Sequence, residues 1–129
     1  MSYYFATTLA GTFDEVTDRT RRALNAEGFG IISEIDIQKT LSEKIGVLFR
    51  RYTILGACNP SLAHEALQIE DKVGTMLPCN VVVQEVADGI EVAAIDPVVS
   101  MQGIENPALN SQATIVADKL KRAIAALAS

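Results

Sequence analysis

Tryptophan is absent from these 129 residues, and aromatic side chains make up 5% of them. Stacking of bases or sugars draws on such rings, so a stacking platform is poorly supplied. There are 2 cysteines, Cys58 and Cys79, too few for the disulfide framework of a small secreted domain. Basic side chains are outnumbered: 11 Lys and Arg face 16 Asp and Glu, a formal net charge of −5. Such a chain repels phosphate backbones, which argues against nucleic acid as a partner. No uninterrupted apolar run approaches the roughly 20 residues that span a bilayer, which argues against a membrane. The opening residues, through Phe5 and Ala6, hold no basic segment, and Asp14 and Glu15 follow, so no signal peptide is expected. The expected compartment is the cytoplasm, with both thiols reduced. Also missing are the P-loop, G-x-G-x-x-G, H-E-x-x-H and G-x-S-x-G patterns. Gly28-Phe29-Gly30 follows a helix and leads into a strand, the wrong order for a phosphate loop.

What is present is apolar. Hydrophobic residues make up 49% and charged residues 21%, and mean hydropathy is +0.22. With no spanning run, that excess belongs in a core or at a subunit interface. The length suits a single domain over residues 1–129.

Patterning gives the elements. Residues 3–9 read as a strand, from Tyr3, Tyr4, Phe5, Thr7 and Thr8. Thr12-Phe13-Asp14-Glu15 is a capping box that opens a helix with Val16, Thr20, Ala23 and Leu24 inward, closed by Gly28. Ile31 to Ile37 alternate as a strand, and Asp36 caps a short helix carrying Ile37, Leu41 and Ile45, stopped by Gly46. Residues 47–58 read as a long strand. Asn59-Pro60 and Asn106-Pro107 are helix starts, since Asn is a preferred N-cap and Pro a preferred first residue. Val81 to Val86 and Ile90 to Ile95 are strands joined at Asp88-Gly89, a hairpin signal. Asp96-Pro97 reads as a turn. Leu109, Ala113, Val116, Ala117, Leu120, Ile124 and Leu127 mark a long amphipathic helix. About five strands with helices on one face make an α+β fold in which this last helix covers the sheet.

Two segments carry the chemistry on offer: Ala57-Cys58-Asn59-Pro60 and Leu77-Pro78-Cys79-Asn80. A helix over 61–71 rises about 16 Å, and residues 72–78, if extended, return about 23 Å. That arithmetic brings Cys79 back to Cys58, with strand 79–86 antiparallel to strand 50–58. Cys58 precedes a helix N-terminus, where a thiolate is favoured, and His64 lies on the following helix. Cys58, Asn59, His64, Cys79 and Asn80 are therefore the candidate ligand or thiol site. The competing reading is that both thiols are buried as small hydrophobes. A zinc site would want closer spacing and a fourth ligand, so no metal is assigned. Glu34 and Asp36 are a secondary acidic cluster, either an acid–base pair facing a cleft or a strand face paired with Arg50-Arg51.

Glu27-Gly28-Phe29-Gly30, Glu34-Ile35-Asp36, Ile54 to Pro60, Ala63-His64-Glu65-Ala66, Leu77 to Val83, Asp96-Pro97 and Asn106-Pro107, taken in order, resemble the bacterial and archaeal domain-of-unknown-function family 302 over essentially the whole chain. The resemblance implies a fold like the TATA-box-binding protein, β-α-β(4)-α, with the short helices inserted in the meander. It implies no activity and no catalytic residues. Family members often carry Pro after the Phe-Arg pair, where this chain has Phe49-Arg50-Arg51. The acidic balance argues against importing DNA binding with the fold.

The expected function is a non-catalytic, homodimeric module that binds a small ligand or a protein partner and needs no cofactor. The alternative is thiol-dependent redox, sulfur-carrier or soft-metal chemistry at Cys58 and Cys79. A hydrolase or isomerase using Glu34, Asp36 and His64 requires those groups to converge on one pocket.

Overall fold

The structure, a computed structural model, describes residues 2–128, so Met1 and Ser129 of the expected domain span lie outside the described residues. The chain folds as β1 (Tyr4–Leu9), α1 (Phe13–Ala26), β2 (Gly30–Asp36), α2 (Ile37–Ile45) and β3 (Tyr52–Cys58). It continues with α3 (Pro60–Ile69), a 3-10 helix (Asp71–Met76), β4 (Cys79–Val86), β5 (Gly89–Ile95), α4 (Pro97–Ser100) and α5 (Pro107–Leu127).

Side chains that satisfy orphan backbone groups set the helix ends. The Glu15 N–H donates to Thr12 Oγ1 at 3.1 Å, and the Lys39 N–H donates to Asp36 Oδ1 at 2.9 Å. Asn59 and Asn106 cap α3 and α5 in the same manner. At the end of α1, the Phe29 N–H reaches Leu24 O and the Gly28 N–H reaches Asn25 O, with Gly28 at φ +88°. This is the Schellman arrangement, and its apolar contact joins the buried Phe29 and Leu24.

The five strands form one antiparallel sheet in the order β1-β5-β4-β3-β2. α1 therefore links the two opposite edges, and α1 and α5 pack together on one face. Leu55, Val81, Val83, Val92 and Ala94 form the sheet side of the core, with Val16, Leu24, Leu120 and Ala123 as the helix side. A second apolar cluster, Ala66, Val73, Met101, Leu109 and Ala113, joins α3 and the 3-10 helix to the first half of α5.

The structure departs from the sequence expectations in four places. The strand expected over 47–58 begins only at Tyr52, and Leu48 is 95% exposed. Its ladder stops where Arg51 O accepts from the Glu85 N–H, while the Arg51 N–H turns to the Glu85 carboxylate at 3.1 Å. Residues 72–78 are not extended, because most of them wind into the 3-10 helix. Asp96 does more than turn the chain: its carboxylate accepts from the Val98 N–H at 3.0 Å and starts α4. Lastly, β2 does not alternate throughout. A register shift between Ile31 and Ser33 leaves Ile31 on the helix side and moves Ser33 to the other face.

Gly56 lies opposite Ser33 and Asn80 at that shift. A Cβ there would overlap Ser33 Oγ and stand 2.7 Å from Pro78 Cγ. The serine side chain can rotate away, but the proline ring is fixed to β4's approach. Gly56→Ala gains about 1 kcal/mol from the unfolded chain and forces apart three strands. Overpacking of this kind costs about 3 kcal/mol, so a net loss of about 2 kcal/mol is expected in urea unfolding.

Candidate functional site

β3 and β4 end side by side. Ala57 lies opposite Cys79, so Cys58, the next residue, lies diagonally across from it. Both sulfur-bearing residues line one cavity of about 40 Å³. Leu62, Ala63 and Ala66 of α3, Pro97 of α4 and Ala113 and Val116 of α5 supply its apolar walls. The chain geometry expected from the sequence thus holds in outcome: strand 79–86 runs antiparallel to β3 and returns Cys79 to Cys58.

Met101, 4% exposed, caps the C-terminus of α4 and enters the same cavity. Nothing in the sequence spacing marks it, because α4 itself was not expected. Two polar side chains of the wall make hydrogen bonds to the backbone. Asn59 Oδ1 accepts from the Leu62 N–H at 3.3 Å, and the Gln112 amide donates to Leu62 O, which ties α5 to α3. Neither cysteine is in a disulfide.

Cys79 is 6% exposed, whereas Cys58 is half-buried. Burial pushes the Cys79 thiol up from 9.0 to about 11, and the charge of a Cys58 thiolate adds to the rise. Cys79 is consequently a protonated, weakly nucleophilic thiol near neutrality.

The other sequence candidates do not join this cavity. His64 is exposed on α3 and is not among the cavity's lining residues. Asn80 is exposed on the opposite face of the sheet, because successive strand residues alternate. Glu34 and Asp36 do share a strand face, but they are engaged separately. Glu34 Oε1 meets Arg21 of α1 at 2.7 Å, and Asp36 caps α2. The expected partners Arg50 and Arg51 instead reach Gln84 Oε1 at 2.9 Å and Asp14 Oδ1 at 3.0 Å. His64, Glu34 and Asp36 therefore line no common pocket among those found.

A second feature escaped the sequence reading. On the sheet face away from α1 and α5, one apolar row crosses every strand. Ile35 lies opposite Ile54, Ile54 opposite Val82, Val82 opposite Ala93 and Ala93 opposite Ala6. Beside it runs a polar row, Tyr52, Gln84, Glu91 and Thr8. Gln84 donates to Glu91 Oε1 at 2.9 Å, and Arg50 stacks 4.3 Å over the Phe49 ring. A depression of about 340 Å³ opens here between Tyr3, Tyr4, Tyr52 and Glu91. Each residue of these rows looks unremarkable in sequence; only the strand register aligns them.

Fold and site together define a small α+β domain: an antiparallel sheet backed by two helices, with a small, largely apolar cavity at one end and an open face. The chain belongs to the family described as Domain of unknown function DUF302, matched over residues 5–127. It is similar to the crystal structure of an uncharacterized conserved DUF302 protein from Bacillus stearothermophilus, with 24% identity and a TM-score of 0.90. That likeness covers 97% of this chain and 98% of the other, and it shows the fold. No match was found among curated proteins. Among the described residues, no helix is long and apolar enough to cross a membrane.

Proposed function

We propose that this chain is a non-catalytic binding module that pairs with a second copy of itself through the open face of its sheet. The observation that carries this reading is the apolar row Ile35–Ile54–Val82–Ala93–Ala6, which spans all five strands on the face away from α1 and α5. Ile35 is 46% exposed and Ile32, at the register shift, is 65% exposed. Five strands at 4.8 Å spacing and three residue rows give a projected footprint of about 500 Å². Tyr3 and Ile32 extend its margins toward the roughly 800 Å² per partner of a standard interface. The polar row from Tyr52 to Thr8 would fix the register of two such faces, and the depression beside it would receive the partner's side chains.

Catalysis is disfavoured by how the candidate groups are spent. Cys79 is held protonated by burial, Glu34 is paired with Arg21, and Asp36 caps a helix. Redox or sulfur-carrier chemistry needs an accessible thiolate, which the buried, protonated Cys79 does not offer.

Native mass spectrometry and sedimentation test the dimer. The unmodified chain is expected to dimerise. Val82→Glu places an unpaired carboxylate at the centre of both faces, at a cost of about 3 kcal/mol, so association should weaken about a hundredfold or more. A monomeric wild-type chain, or a Val82→Glu variant that still dimerises with unchanged affinity, overturns the reading.

A further inference from the structure

We propose that the depression on the open sheet face binds a small organic ammonium cation between Tyr3, Tyr4, Tyr52 and Glu91. The chain has 3 tyrosines, and all of them line this one space of about 340 Å³. They come from the start of β1 and the start of β3, so only the fold brings them together. Pockets for small ligands hold roughly 300–1,000 Å³, a range this space meets. The site goes beyond pairing across the face, because one chain supplies every lining residue.

Strand register sets the walls. One is the polar row, in which Tyr52 lies opposite Gln84 and Gln84 opposite Glu91. The other is Tyr4, opposite Ile95, with Asn80 two residues before Val82 on the same face. Asn80 and Gln84 are four residues apart on β4, so the walls stand about 13 Å apart. Between them Val82 and Ala93 offer apolar surface to methyl or methylene groups. Tyr3 and Tyr4 meet edge to face, with ring centroids at 5.0 Å and planes at 78°, which makes a corner and not a flat stack.

Charge selects the ligand. Among the described residues that line the depression, Glu91 alone is charged. Its Oε1 accepts from Gln84 Nε2 at 2.9 Å, and no Lys or Arg among the described residues forms an ion pair with it. The guanidinium of Arg50 is engaged elsewhere: its Nε donates to Gln84 Oε1, and the group stacks 4.3 Å over Phe49 and 5.6 Å from the Tyr52 ring. A carboxylate without a countercharge, set beside tyrosine rings, attracts a cation with apolar substituents. An anion would be repelled, and a neutral ring would leave the carboxylate unpaired.

Choline is the probe, followed by the amide NMR signals of the full chain. The titration is run on wild type and on Ile35→Gln, a neutral change on β2 that lines no part of the depression and weakens the pairing. Choline should bind at about 1 mM and shift the signals of Tyr3, Tyr4, Tyr52 and Glu91. Its uncharged carbon isostere, dimethylbutanol, should bind about tenfold more weakly. Glu91→Gln keeps the acceptor for Gln84 and should weaken choline about tenfold. Tyr4→Leu should weaken it about fivefold, whereas Tyr4→Phe, which keeps the ring, should stay within about twofold. Circular dichroism of each variant confirms that it is folded. No shift at about 10 mM choline in folded Ile35→Gln, equal affinity for the isostere, or unchanged affinity in Glu91→Gln overturns the proposal. Tighter binding of a short lysine-containing peptide also overturns it, because the occupant is then a protein side chain. Sedimentation reads the pairing separately: a monomeric wild-type chain that takes up choline removes the dimer and leaves the site.

Discussion

Leu120→Ala is expected to lower stability by about 4 kcal/mol, because the side chain is fully buried and the cavity it leaves has no way to collapse. Leu120 belongs to the same core cluster as Val81, Val83 and Val92 of the sheet. Neighbouring α5 cannot slide inward to fill it. Its first half is fixed by Leu109 and Ala113 in the second cluster, and by Gln112 bonded to Leu62 O. A domain of this size has about 5–15 kcal/mol in total, so a large share of its stability is lost. Urea unfolding should show a lower midpoint with an unchanged slope. Ile115→Ala on the same helix removes a side chain that is 49% exposed and should shift stability by less than about 1 kcal/mol. Equal losses at the two positions would contradict the packing described here.

Stability should also fall on the alkaline side through Cys79. The folded chain holds this thiol up at about 11 against an ordinary 9.0, so the folded state binds its proton more tightly than the unfolded state does. A raised folded value means that the contribution is fully present below pH 9, declines between pH 9 and 11, and is gone above. Two units correspond to about 3 kcal/mol. Lysines and tyrosines titrate in the same range, so the measurement is a difference: wild type minus Cys79→Ala, by urea midpoints at half-unit steps. The difference should be flat below pH 9 and then drop. A flat difference to pH 11 would mean that the thiol is not desolvated.

Local chemistry made most of the fold legible. Thr12, Asp36, Asn59 and Asn106 cap the helices that their residue types predict, and Gly28 and Gly46 end two of them at positive φ. The Asp88-Gly89 hairpin and the stripe on α5 hold for the same reason, since each is decided within a few residues. What failed depends on partners. Val47, Leu48 and Phe49 look like strand, yet β4 ends at Val86, one residue past Glu85, so the segment leaves the sheet. Asp96 carries both a turn and a cap in its side chain, and the sequence does not separate the two.

The site was half legible for the same reason. Cys79 does return to Cys58, but not along the extended segment that the chain-length arithmetic assumed, because Asp71–Met76 form a 3-10 helix. His64 and Asn80 were grouped with them by nearness in sequence, but an exposed helix position and strand alternation carry both away. Met101 entered by a four-residue helix that no periodicity announces. The open-face row needed the register of every strand at once.

The sheet order sets a timetable for synthesis. β1 is made first, yet its only partner is β5, with Tyr4 opposite Ile95 about 90 residues later. At 5–20 residues per second, the nascent strand waits about 5–20 s for its partner. The covering helix α5 arrives later still. Such remote pairing gives a high contact order and a slow final step, with Tyr4 and Phe5 unsheltered until the last third of the chain emerges.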